Sequence, residues 1–304
     1  MGWRTIILQQ IVNGLILGSF YSLVALGYSM VYGIIKLLNF AHGDVYMFGA
    51  FIGYVILGLV SGILGNGWAG VLVAMVCSMS IVGVFGVVIQ RLAYRPLYSA
   101  SRLCILISAV GVSLILSNSV MVATNGDYIG VKTAFTNAGI DLLGIHVTFV
   151  QMLMVSFTAA LMVVLSSFIS RSMVGKAMRA IALDHDTCRL MGINVYKIIA
   201  VTFFVGSALA AAAGMMAGIY YGQIHYFMGF LIGLKAFTAA VIGGIGSIPG
   251  AMIGGLILGM LEAAGTQFPH VGSAYKDVFS FAILILILIF KPTGLFGKSE
   301  IERM

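Results

Sequence analysis

Polar residues punctuate long apolar runs in this chain instead of alternating with apolar ones. The runs cover approximately 6–34, 43–64, 68–90, 103–123, 149–169, 198–221, 227–245, 251–264 and 278–290. Several reach the roughly 20 residues a helix needs to cross about 30 Å of hydrocarbon, and no period-2 alternation points to a barrel. The pattern predicts an all-α polytopic membrane protein with about eight to ten transmembrane helices, some of them broken or half-length, because the first run is over-long and the last three are short.

Interruptions within this pattern locate the special backbone. Gly14, Gly18 and Ser22 recur every four residues, a spacing that lets another helix backbone approach where lipid gives no hydrophobic drive for association, so the first helix is expected inside the bundle. Asn39-Phe40-Ala41-His42-Gly43-Asp44 is polar enough to be either a short loop with Asp44 at a helix N-terminus or a broken helix lining a water-filled path. Near the end, glycines at 243, 244, 246, 250, 254, 255 and 259 surround Pro249. Two half-length helices meeting at Gly246–Gly250 are expected there, with Gly246, Gly250 and Gly254 as a packing face.

The longest polar interruption in the second half is Ser170–Lys197, which holds five of the sixteen basic residues. Met178, Ile181 and Ala182 fall at i, i+3, i+4 beside Lys176 and Arg179, predicting a short amphipathic helix. Asp186 is placed to cap a second turn through Leu190, and Gly192 suits the left-handed position after it. A connector needs fewer residues than this, so the stretch reads as a docking surface.

Composition removes the soluble alternatives. The chain is 61% hydrophobic and 8% charged, with a mean hydropathy of +1.11. Its net charge of +7 sits in short loops, so topology explains it better than nucleic-acid binding does. The loop at 91–102, the 170–197 stretch and the tail from Lys291 together hold eleven Lys and Arg, against Lys132 and Lys276 in the alternate loops. That bias places the first set, and the C-terminus, in the cytoplasm. Cys77, Cys104 and Cys188 are dispersed and read as packing residues, not a disulfide framework or metal site. The first run carries Gln9, Gln10 and Asn13 and is too long for an ordinary signal core, so it reads as a retained helix.

Catalytic motifs are not supported. Gly294 to Ser299 imitates part of a phosphate-binding loop, but Pro292 stands where that motif needs glycine and an apolar span precedes it. None of His42, His146, His185, His225 and His270 has a second histidine at i+3 or i+4. Two ionisable residues fall in apolar runs: Lys235, a candidate for a buried ion pair or a path-lining charge, and Glu262, near enough to a run's end to be expected at the interface.

The stretches GKAMRAIALDHDTCRLMGINVYK, NFAHGDVYMFGAF and KAFTAAVIGGIGSIPGAMIGGLILGMLE together resemble the H-type permease subunit of bacterial high-affinity branched-chain amino acid importers. A weaker likeness of the Leu-x-Gly-Ile element to vitamin B12-type import permeases suggests a related fold. The resemblance implies one permease domain over 1–304, with 170–197 as a cytoplasmic loop that docks on ATPase subunits through Gly175, Arg179, Ala180, Asp184, Leu190, Gly192, Ile193 and Asn194. Met191 stands where leucine is more usual, a volume-conserving change.

Further implied are an M-type permease partner, two ATPase subunits and a periplasmic protein delivering leucine, isoleucine or valine. ATP and Mg would sit on the ATPases, with no cofactor or catalytic metal on this chain, which would be a multi-pass inner-membrane permease and not an enzyme. The expected path follows the two breaks and Lys235: Asn39, His42, Asp44, Lys235, Gly246, Pro249 and Gly250, with small residues of 206–218 and 236–259 along it. The rival reading, a stand-alone ion-coupled transporter or channel, predicts several buried acids, for which only Asp44 and Glu262 are candidates.

Overall fold

The computed structural model describes residues 3–65, 67–98, 100–131, 139–142, 145–266, 276–291 and 293–297. Lys132, His270, Pro292, Lys298 and Ser299, named above, lie outside them. The described helices are α1 (Trp3–Ile35), α2 (His42–Leu64), α3 (Trp68–Ile89), α4 (Arg102–Thr124), α5 (Phe149–Arg171), α6 (Met173–Leu183), α7 (His185–Leu190), α8 (Val195–Tyr221), α9 (Met228–Gly243), α10 (Ile248–Gly265) and α11 (Lys276–Phe290). Among the described residues, seven helical segments are long and apolar enough to cross a membrane, and two shorter ones, Met228–Gly243 and Ser280–Phe290, are also apolar. The all-α polytopic expectation therefore holds. Two small antiparallel ribbons join helices at one end: β1 (Ile129–Gly130) with β4 (Gln223–Ile224), and β2 (Gly139–Leu142) with β3 (Ile145–Thr148).

Helix α1 lies inside the bundle, packed chiefly on α10, α8 and α9, as the glycine spacing requires. A Cβ on Gly18 would stand 2.8 Å from the Cα of Leu256, and one on Gly259 would run into the backbone of Gly18. Ser22 Oγ donates to the carbonyl of Met252 at 2.7 Å, giving the helix pair a polar tie beside its small-residue seam. The small residues of α8 serve the same purpose: Ala210 to Ala213 are fully buried, with Ala211 against Gly49 and Gly214 against the Tyr46 carbonyl. This part of 206–218, expected along a path, is used for helix packing.

Two separate helices meet near the end of the chain, as expected, but the join lies at 244–247, slightly before the expected Gly246–Gly250. Helix α9 stops at Gly243, Gly244 and Gly246 take positive φ (102° and 88°), and α10 begins at Ile248 with Ser247 as its cap. Pro249 thus opens a helix, where its missing N–H has no intrahelical partner to lose, and does not break one. Of the expected face, Gly250 and Gly254 press together on Gly243, whereas Gly246 precedes the helix and adjoins Gly33; Gly255 and Gly259 press on α1.

The ends of the bundle follow from contacts. His185 Nε2 lies 2.6 Å from the carbonyl of Ile34, so the last turn of α1 meets α7. Leu295 and Phe296 donate backbone N–H groups to Ile242 and Gly243, which seats the C-terminal tail at the foot of α9, where Gly246 also adjoins Gly33 of α1. The π-helical turn Gln90–Tyr94 and the short 3₁₀ turn Arg95–Leu97 extend α3, and Arg95 lies over the ring of Tyr196 at the start of α8. The described parts of the three basic segments therefore share one end of the bundle, and the β-ribbons mark the other.

Candidate coupling surface and membrane-buried polar sites

At the basic end the chain makes two short helices through a series of caps. Ser172 Oγ accepts from the N–H of Gly175 at 2.9 Å and starts α6 straight off the end of α5. Gly175 is required there, since a Cβ would strike the Ile169 backbone. Met178 and Ile181 turn inward, as their spacing predicts, and Ala180 is half-buried against the core. Arg179 donates to the carbonyls of Ile169 and Ser170, so its guanidinium satisfies the open end of α5.

The cap of α7 is Asp184, not Asp186. Its Oδ1 accepts from the N–H groups of Asp186 (2.9 Å) and Thr187 (3.1 Å), and the Thr187 hydroxyl donates to Oδ2 at 2.5 Å. Those donors hold the Asp184 carboxyl below the ordinary carboxylate range. Asp186 lies two residues past the cap, inside the helix, and instead faces Arg189 at 3.7 Å. A capping residue must be extended, and Asp184 is, at φ −156° and ψ 114°.

Gly192 occupies the position the sequence assigns it. It has φ +78°, its N–H bonds the Arg189 carbonyl (3.1 Å), and the N–H of Ile193 bonds Cys188 (3.0 Å), the two bonds of a Schellman ending. Asn194 Oδ1 then accepts from Lys197 N–H at 3.1 Å and starts α8. The result is a rigid bracket from α5 to α8 that leaves large apolar side chains outward: Leu183 is 90% exposed, Leu190 88% and Met191 77%. The sequence reading does not single out Leu183, or Met173 (79% exposed) beside the same bracket, because the amphipathic pattern sorts core from surface but does not say which apolar residues stand outward.

The Asn39–Asp44 interruption is a short connection that leads into α2, as its loop reading expects. Asp44 lies in the first turn of α2, and that turn begins deep in the bundle: the His42 ring adjoins Gly27 in the body of α1, and its centroid is 4.9 Å from that of Tyr28. Asn39 accepts from the Tyr94 hydroxyl at 2.6 Å. His42 is 2% exposed, its Nε2 without a hydrogen-bond partner, and the Asp44 carboxylate accepts from the Ser113 hydroxyl of α4.

Lys235 and Glu262 form a buried pair. Lys235 Nζ donates to Glu262 Oε1 at 2.8 Å, Tyr21 donates to Oε2 at 2.6 Å, and Asp277 Oδ1 makes a second charge contact with Lys235 at 2.6 Å, off hydrogen-bond alignment. Glu262 is 2% exposed, so the interfacial expectation fails. The reason is the cation facing it from α9: a paired carboxylate does not need to reach water. Neither member of this pair adjoins Asp44, and Pro249 and Gly250 do not line the cavity beside it.

This arrangement has a polytopic bundle, a capped polar bracket at one end, and polar groups at membrane depth. A family described as "Branched-chain amino acid transport system / permease component" matches residues 10–288. The chain belongs to that family. It is 46% identical over 302 residues to "High-affinity branched-chain amino acid transport system permease protein BraD" of Pseudomonas aeruginosa, covering 98% of each chain. It is 44% identical over 303 residues to the corresponding protein LivH of Escherichia coli K12, covering 98% of this chain and 97% of that one. Among solved structures, PsaBC from Streptococcus pneumoniae in complex with Fab aligns over 92% of this chain and 91% of that chain, with a TM-score of 0.46 and 13% identity. The likeness read from three motif stretches thus extends along nearly the whole permease.

Proposed function

We propose that this permease is one transmembrane half of an ATP-driven importer of leucine, isoleucine and valine in a bacterial inner membrane. An M-type permease would supply the second half, two ATPase subunits would dock on the bracket, and a periplasmic binding protein would deliver the amino acid at the β-ribbon end. ATP and Mg would remain on the ATPases, and the basic end, with the C-terminus, would face the cytoplasm, in keeping with its share of Lys and Arg.

The observation that carries the reading is the capped α6–α7 bracket with Leu183, Leu190 and Met191 standing out of it. Apolar side chains this exposed on short helices at the basic end call for a protein partner. Its caps join the bracket directly to α5 and α8, the connection through which a displacement would pass. Nucleotide must favour one bracket orientation over another for transport to be driven, and the direct Gly192–Asn194 link to α8 is the element through which that difference would reach the bundle.

We assign Gly175, Arg179, Ala180 and Asp184 to building the bracket, Leu190 to contact with the ATPases, and Gly192, Ile193 and Asn194 to its rigid exit into α8. The solute path follows the α1–α2 break at Asn39, His42 and Asp44, while Gly246, Pro249 and Gly250 shape the foot of α10. Lys235 belongs to the scaffold, because its charge is already matched by Glu262 and Asp277.

Copurification tests the assembly: tagging this chain should retain both ATPases and the second permease. Replacing Leu183 and Leu190 together by Asp should release the ATPases while leaving the permeases paired. Retention of the ATPases by that variant contradicts the assignment.

A further inference from the structure

The cavity beside the α1–α2 break contains a carboxylate that makes no ion pair among the described residues. It measures about 320 Å³. Its polar wall is Tyr28, Asp44, Ser113 and Ser117; the rest is aliphatic and aromatic, Phe230 and Phe237 included. Asp44 is 5% exposed. No Lys, Arg or His lines the cavity, and among the described residues none lies within ion-pair distance of Asp44. The Ser113 hydroxyl and the N-terminal turn of α2 supply only partial positive charge. At Lys235 the same chain matches a buried cation with two carboxylates, so the missing counter-charge at Asp44 stands out against its own standard.

Resting on the importer reading above, we propose that Asp44 receives the α-ammonium group of the transported amino acid, with the aliphatic side chain against the aromatic wall. An ammonium brings one positive charge and three donors. The Asp44 oxygens and the hydroxyls of Ser113, Ser117 and Tyr28 are acceptors on the same wall. A divalent cation fits less well, since it needs several carboxylates and no group of three His, Cys, Asp or Glu occurs among the described residues. The carboxylate is held in place by backbone contact: Gly43, its neighbour, packs on Gly229 and Gly233 of α9, where a Cβ would stand 2.8 Å from the Gly233 Cα. A fixed acid in a mostly apolar chamber selects a cationic head on an aliphatic body, which complements a binding protein that chooses the side chain.

The test is saturation-transfer NMR on the assembled permease–ATPase complex without binding protein, using leucine, 3-methylbutylamine and 4-methylpentanoate as probes. Leucine and the amine should both give saturable signals and compete with each other, and the acid lacking the ammonium should give none. An absent amine signal, or an equal one from 4-methylpentanoate, overturns the proposal, and this comparison needs only the wild-type protein. In Asp44→Asn the amine signal should vanish and ATP-driven leucine uptake should fall at least tenfold, with Asp44→Glu restoring part of both. Unchanged uptake by an assembled Asp44→Asn complex overturns the role of Asp44 and leaves the importer reading standing. A wild-type complex that imports no branched-chain amino acid overturns the importer reading instead.

Discussion

Lys235 Nζ and Glu262 Oε1 are 2.8 Å apart with side chains 5% and 2% exposed, which joins α9 to α10 through a buried ion pair. Removing one partner leaves an uncompensated buried charge, at a typical cost of about 3–5 kcal/mol. Lys235→Met should therefore lower the thermal stability of the detergent-solubilised permease sharply. Lys235→Met with Glu262→Met should recover much of the loss, because the fully buried charges go together and Asp277, whose side chain is 36% exposed, keeps access to solvent. Leucine uptake by the double variant should approach wild type; a stable double variant without uptake would return Lys235 to the path.

Gly192 sits at φ +78°, a region that costs a side chain about 1–3 kcal/mol when imposed on it. Because this residue is exposed and lies between two helices, Gly192→Val should leave the bundle inserted and paired while loosening the α7–α8 link. ATP hydrolysis by the complex should persist and ATP-coupled uptake should be lost. Normal uptake by the variant would remove Gly192 from the coupling route.

The α1–α10 seam should tolerate no added bulk. Gly259→Val directs its Cβ into the backbone of Gly18, so the helices must part and lose the Ser22–Met252 tie. Overpacking of this kind costs about 1–3 kcal/mol or more. The expected result is reduced yield and a lowered melting temperature, whereas Gly58→Val, at a position with open space around it, should be close to neutral by the same measure.

These contacts mark how far sequence patterning reaches. Helix spacing exposed the Gly14-Gly18-Ser22 face, the inward Met178 and Ile181, and the left-handed Gly192, because each is a local requirement of backbone geometry. Pairing across elements was harder to read. Glu262 lies near the end of an apolar run, and only the fold brings Lys235 and Tyr21 to it, so position along the run misplaced it at the interface. Asp184 and Asp186 are both plausible caps by residue type; the choice depends on which one is extended. The glycines of 206–218 signal close approach, but sequence leaves open whether helix or solute makes that approach.

Asp184 gives the bracket a pH signature. Its carboxyl is lowered by the Thr187 hydroxyl and the N–H groups of Thr187 and Asp186. A lowered carboxylate contributes above its unfolded pKa, about 3.9, and the contribution is lost as pH falls through the lowered folded value. Protease resistance of the 184–194 segment should therefore be greater in wild type than in Asp184→Ala at neutral pH. The difference should disappear well below about pH 4. A difference that persists unchanged in acid contradicts the cap as its source.

The central claim is that this permease moves branched-chain amino acids only as half of an ATP-driven assembly. Proteoliposomes containing the chain, its M-type partner and two ATPases, supplied with binding protein outside and ATP inside, measure it directly with radiolabelled leucine. Uptake should require every component and stop when this chain is omitted. Leucine uptake by this chain alone under an ion gradient, or full uptake by the assembly without it, would contradict the account.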